Sequence, residues 1–167
     1  LESEDRGRLI VNWQVICDII TCVNTREKLI WAAGLFEGEG TIYIHSYKRK
    51  NGNMSYQLTM AVTMTDEDCV KNFSETIGGW FGNHHLRENI NDKRKRSWVC
   101  CLSGPRASKA INSMLPFFQS QRSIDRAELA IEFQNQVLKG TPARNLEYKQ
   151  KQKKYYEQMK ELNKRGK

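Results

Sequence analysis

The sequence predicts an α+β domain of order αββαββα, with further helices toward the C-terminus. Three observations predict it. Apolar residues recur at helical spacing up to Phe36 and then at every second residue from Ile42, a change of period from 3.6 to 2. The same change recurs between the stretch that opens at Thr65 and the strand that ends at Ser103. Each alternating stretch is split by a turn-forming segment, Asn51-Gly52 in the first and Asn91-Asp92-Lys93-Arg94-Lys95 in the second, so each folds back as an antiparallel pair.

The first helix of this core is predicted to open at Asn24, with Glu27 three residues on as a capping box. Gly34 and Gly38 lie four apart beside Ala33 and so share a helix face. Glycine costs about 1 kcal/mol against alanine inside a helix, so this stripe of Ala33, Gly34 and Gly38 points to close packing against another backbone. The helix ends in Glu37-Gly38-Glu39-Gly40. Carboxylates there sit at the wrong end of the helix dipole, and a bound cation would offset the cost. Residues 1–23 form an N-terminal extension, polar to Arg8 and then apolar from Leu9 to Cys22, where a short helix is expected.

In the first strand pair, Ile42 and Ile44 face one way with Leu58, Met60, Val62 and Met64. The opposite face collects Tyr43, His45, Tyr47, Gln57, Thr59 and Thr63, with Arg49 in the basic turn beyond. A helix from Thr65 to Gly78-Gly79 follows, with Glu67 and Asp68 in its first turn, where the dipole favours acids. The second pair runs from roughly Phe81 to Asn89 and from Ser97 to Ser103. His85, Arg87 and Asn89 are its candidate polar-face residues, and Lys93, Arg94, Lys95 and Arg96 form a second basic loop. A helix beginning near Pro105 ends at Leu115-Pro116-Phe117-Phe118, and another runs from Ser123 to Lys139. The core domain spans residues 24–140, and residues 141–167 hold a basic C-terminal helix with Tyr148, Tyr155, Met159 and Leu162 as its apolar stripe.

The chain has 167 residues, enough for one domain with a real core. Lys and Arg number 27 against 19 Asp and Glu, a formal charge of +8, which suits a polyanionic partner. Five cysteines with no CxxC spacing encode neither a disulfide framework nor a zinc site and fit a reducing, intracellular setting. No apolar run approaches the roughly 18 residues of a membrane span, and no targeting signal is visible.

The segment Ala32-Ala33-Gly34-Leu35-Phe36-Glu37-Gly38-Glu39-Gly40 resembles the signature of the LAGLIDADG homing endonucleases, with Ala for the first Leu, Phe for Ile and Glu for both Asp. The element order from Asn24 to Lys139 is similar to that family's core, and the signature occurs once. The resemblance implies a homodimer in which two signature helices pack together. It implies one metal-ligating, catalytic Glu39 from each subunit, the Gly38 carbonyl as a further ligand, and Mg²⁺ or Mn²⁺ as cofactor. Glu37 matches the first acid, whose role is more often structural. Asp66 matches a polar position near the cleavage site, with Gln57 and Thr63 as alternatives. Arg122 matches a basic residue near the scissile phosphate, with Arg126 as the fallback. The implied activity is site-specific cleavage of double-stranded DNA at a long pseudo-palindromic site. A two-stranded ribbon in the major groove can read bases there, and the basic loops, including Lys48 to Lys50, can contact phosphates. The rival readings are a maturase of the same fold that binds intron RNA, a DNA-binding regulator that has lost cleavage, and an unrelated basic α+β domain.

Overall fold

The computed structural model describes residues 13–84, 96–138 and 146–164, with side chains from Thr25 onward apart from those of His84 and Leu138. Its order is α1 (Trp13–Glu39), β1 (Gly40–Lys48), β2 (Met54–Met64), α2 (Glu67–Ile77), β3 (Trp80–His84), β4 (Ser97–Ser103), α3 (Gly104–Met114), a 3-10 turn (Leu115–Phe117), α4 (Gln121–Leu138) and α5 (Leu146–Asn163). The α+β class and the αββαββα order are as predicted.

The first helix differs from expectation at its start. It is continuous from Trp13, so Asn24 lies within it and not at its start. No Gly or Pro occurs between Trp13 and Ala33, and nothing in that stretch breaks the backbone hydrogen-bond ladder. The cap of α2 also shifts by one: Asp66 rather than Thr65 is the N-cap, its carboxylate accepting the Cys69 amide at 3.0 Å. Gly78 closes that helix at φ 73°, the left-handed region glycine enters freely.

The four strands form one antiparallel sheet in the order β1-β2-β4-β3. Ile42, Ile44, Leu58, Met60, Val62, Cys100 and Leu102 point to one side. They join Phe36, Val70, Phe73, Ile111, Met114, Phe133 and Met159 from the helices in a single core. Phe36 stacks between Phe73 and Phe118, with ring centroids 6.1 Å apart on each side, so the signature helix is anchored by aromatic packing. Burial pushes the Cys100 thiol up to about 11, which marks it as a packing residue. Cys69, Cys100 and Cys101 are all free thiols.

The terminal helix α5 belongs to this core. Tyr155 and Met159 are buried on it, and Tyr155 donates to Glu132 of α4 at 2.6 Å. Lys149 reaches Asn53 in the β1–β2 turn at 3.0 Å, and Asn163 Nδ2 donates to the Ile42 carbonyl on edge strand β1 at 2.9 Å. A sheet edge that would otherwise offer unpaired backbone groups is thereby partly covered. Among the described residues, no helix is long and apolar enough to cross a membrane.

Candidate active site and nucleic-acid-facing sheet

At the C-terminus of α1 the two acids have separate environments. The Glu37 carboxylate accepts the Gln119 amide at 3.0 and 3.1 Å, the Ser120 amide at 2.8 Å and the Ser120 hydroxyl at 3.0 Å. Burial pushes its pKa up, but the hydrogen bonds from the Ser120 and Gln119 amides and from the Ser120 and Ser123 hydroxyls outweigh that, and the net value is lowered. Glu37 is therefore a clamp between the end of α1 and the start of α4. Glu39 is the last residue of α1 and is exposed. It forms no hydrogen bond or ion pair with any described residue.

The helix passes straight into β1 at Gly40. A Cβ at Gly40 would collide with the ring and carbonyl of Phe36, so the junction requires glycine. This geometry fixes Glu39 between the packed end of α1 and the first residue of β1. An exposed carboxylate beside the Gly38 backbone offers hard oxygen donors of the kind Mg²⁺ takes. Among the described residues, no group of three or more His, Cys, Asp or Glu side chains is gathered to hold a metal.

Glycines 34 and 38 are both exposed, and a Cβ added at either would meet nothing within 4 Å. Ile30 and Trp31, exposed on the preceding turn, extend this surface. Ala33 is fully buried in the chain's own core and is not part of it, which removes it from the expected stripe. The helix rotation that exposes Gly34 places Ala32 and Ala33 in the core.

On the sheet, the register pairs Tyr43 with Thr59, His45 with Gln57, and Thr59 with Ser103. His45 sits between Tyr43 and Tyr47, with ring centroids 6.2 and 5.7 Å away. Tyr43, Tyr47, Arg49, Thr63 and Arg96 are exposed, and His45 and Gln57 are half-buried. Thr59 is only 5 % exposed and lies 3.4 Å from His45 Nδ1 and 3.2 Å from the Ser103 hydroxyl. It supports that row from below and does not itself project from it. Burial pushes the Tyr43 phenol above its usual value, which keeps it a hydrogen-bond donor.

Three further candidates have structural partners of their own. Asp66 is engaged as the cap of α2. Arg122 donates to the Leu162 and Lys164 carbonyls at 3.1 and 2.9 Å, and Arg126 donates to the Leu162 carbonyl at 3.1 and 3.3 Å. Both guanidiniums serve the carbonyl end of α5, where cations are favoured. His85, Arg87, Asn89, Lys93, Arg94 and Lys95 lie outside the described residues.

Sequence reasoning missed Trp80. The strand begins one residue earlier than expected, and the alternation then places Trp80 and Gly82 on the polar face and Phe81 on the core face. The signal was Gly82, two residues on and on the same face of the strand, whose missing side chain leaves room for the indole. The Gln119 and Ser120 amides were likewise invisible, because a backbone donor has no sequence mark.

The LAGLIDADG endonuclease family model matches residues 32–132. No curated protein matches the sequence. Among solved structures, the homing endonuclease I-CvuI in complex with its target in the presence of Ca aligns with a TM-score of 0.70 and 14% identity, covering 87% of each chain. The archaeal intron-encoded homing endonuclease I-Vdi141I, complexed with DNA, aligns at 0.64 and 13% identity, over 84% of this chain and 86% of that one. The group I intron-encoded homing endonuclease I-CeuI, complexed with DNA, aligns at 0.61 and 15% identity, over 80% and 66%. These likenesses concern the fold. The family match covers well over half of the chain and includes the acidic helix end and the sheet, and by it this protein belongs to the LAGLIDADG endonuclease family.

Proposed function

We propose that this protein is a homodimeric, divalent-metal-dependent endonuclease that cuts double-stranded DNA at a long pseudo-palindromic site. One observation carries the catalytic part. Of the two signature acids, Glu37 is consumed by amides of its own chain, while Glu39 stands exposed and unengaged by any described residue. The open face of Gly34 and Gly38 supports the dimer. Two α1 helices that pack there with twofold symmetry would bring two Glu39 carboxylates and two Gly38 carbonyls together. A divalent cation, Mg²⁺ or Mn²⁺, bound by that set supplies charge neutralisation at the scissile phosphate and a more acidic water.

The chain's own residues do the rest. Glu37 holds the end of α1 to the start of α4. Tyr43, His45, Tyr47, Gln57 and Thr63 meet base edges in the major groove, where Gln can read adenine in bidentate fashion. Arg49 and Arg96 meet phosphates, which fixes position more than sequence. The net charge of +8 supplies the salt-dependent share of affinity.

The test is incubation of the purified protein with plasmid carrying the uninterrupted form of its host gene, with Mg²⁺ or EDTA, beside Glu39→Gln. The expected result is linearisation that requires Mg²⁺ and is lost in the variant. Binding without cutting under every divalent ion would sink this reading and leave a DNA-binding regulator. Binding of intron RNA in preference to duplex DNA would instead point to a maturase.

A further inference from the structure

The same sheet face carries two chemistries. Over β1 and β2 it presents phenols, an imidazole, an amide and a threonine hydroxyl, all hydrogen-bonding groups. Between Ser97 and Ser103, the two serines near the ends of β4, the middle of β4 and the adjoining part of β3 do not. The pairs Thr63–Val99, Ala61–Cys101, Trp80–Cys101 and Gly82–Val99 set Val99, Cys101, Ala61, Gly82 and Trp80 together as a patch with little hydrogen-bonding capacity.

Trp80 dominates it. It is 58 % exposed, the most exposed large aromatic among the described residues, although tryptophan is usually well buried. Its ring is held against the strand backbone: a Cβ built on Gly82 would stand 2.6 Å from the Trp80 Cζ2 and Cη2 atoms. One side of the indole is thus covered by Gly82. A large apolar surface is held in place before any partner arrives, which lowers the ordering cost of a contact.

We infer that Trp80, with Val99 beside it, reads thymine through its 5-methyl group. The inference rests on the proposed function, in which this sheet lies in the major groove. Within that groove the thymine methyl is the one apolar group on a base edge. An uncharged indole has little to offer a phosphate, and the patch holds no side-chain amide or carboxylate that would read a base by a bidentate hydrogen bond. The two halves of the sheet therefore specify different positions by different means: hydrogen bonds under β1 and β2, and methyl burial under β3 and β4.

The test selects duplexes from a randomised pool with the wild-type protein in the absence of divalent ions. Each thymine of the selected site is then replaced singly by deoxyuridine, which deletes the methyl and leaves base pairing intact. Wild-type binding should fall about fourfold at one or two positions in each half-site, the effect of losing one buried methyl-sized group. Trp80→Ala should bind the parent site more weakly and show no uracil penalty at those positions. Trp80→Phe, which keeps an apolar ring, should restore part of it. Circular dichroism of the variants separates lost reading from lost folding. A wild-type protein indifferent to uracil everywhere, or a Trp80→Ala variant with the full penalty, overturns the inference and leaves the endonuclease reading standing. If the wild type enriches no duplex at all, the endonuclease reading fails first.

Discussion

Glu37 and Ser120 are joined twice: the Ser120 amide and the Ser120 hydroxyl both donate to Glu37 Oε1, at 2.8 and 3.0 Å. One side chain thereby ties the last turn of α1 to the first residues before α4. Glu37→Ala should destabilise the fold by about 1–2 kcal/mol, the scale of charge-assisted hydrogen bonds at a partly solvated site. Chemical denaturation measures this directly, and a change within error would refute the clamp.

The same clamp has a pH signature. The folded pKa of Glu37 lies below the ordinary carboxylate value of 4.5, so the folded state binds the proton less readily than the unfolded chain. The contribution is full above 4.5 and is lost as the pH falls through the lowered folded value. Stability curves of wild type and Glu37→Gln should therefore separate above that pH and converge below it. Curves that run parallel down to about pH 3 would show that the carboxylate charge contributes nothing.

Gly34→Leu should leave the fold intact, because the space beside that Cα is open and leucine is a better helix former by most of 1 kcal/mol. It should block close approach of a second α1. Sedimentation should show a monomer, and cleavage should drop by at least tenfold. A dimer of wild-type affinity that still cuts would place the interface elsewhere.

Asp66 has a cap to make, and its loss should cost about 1 kcal/mol. The informative variant is Asp66→Ser, since serine caps as well. If the acid only caps, Asp66→Ser keeps both stability and cutting. A stable variant whose cutting rate collapses would show that the carboxylate also serves the reaction.

Much of the architecture was written in side-chain period. Ile42, Leu58, Met60 and Val62 alternate, and they are core; Ala107, Ala110, Ile111 and Met114 recur helically, and they are core too. Local signals fared worse where a stronger one overrode them. Asn24 and Glu27 spell a cap, but an uninterrupted helical stretch precedes them. Ala33 and Gly34 look alike as small residues, yet one is buried and the other open, because which side of a helix meets the sheet is decided by the whole packing. Arg122 carries the expected charge but spends hydrogen bonds on the end of α5. Such a tertiary contact, 40 residues away, leaves no trace in spacing.

The absence of any linker between α1 and β1 has a geometric corollary for where a strand is broken. Glu39 and Tyr43 ride on one stiff piece of backbone, held at Gly40 by the Phe36 ring. In the proposed endonuclease the chain would thus work as a ruler: once Tyr43 and His45 settled against their bases, the phosphate facing Glu39 would already be chosen. Under that proposal, sequence preference and cut position would be a single quantity, and a residue inserted at this joint would shift the zero of the scale.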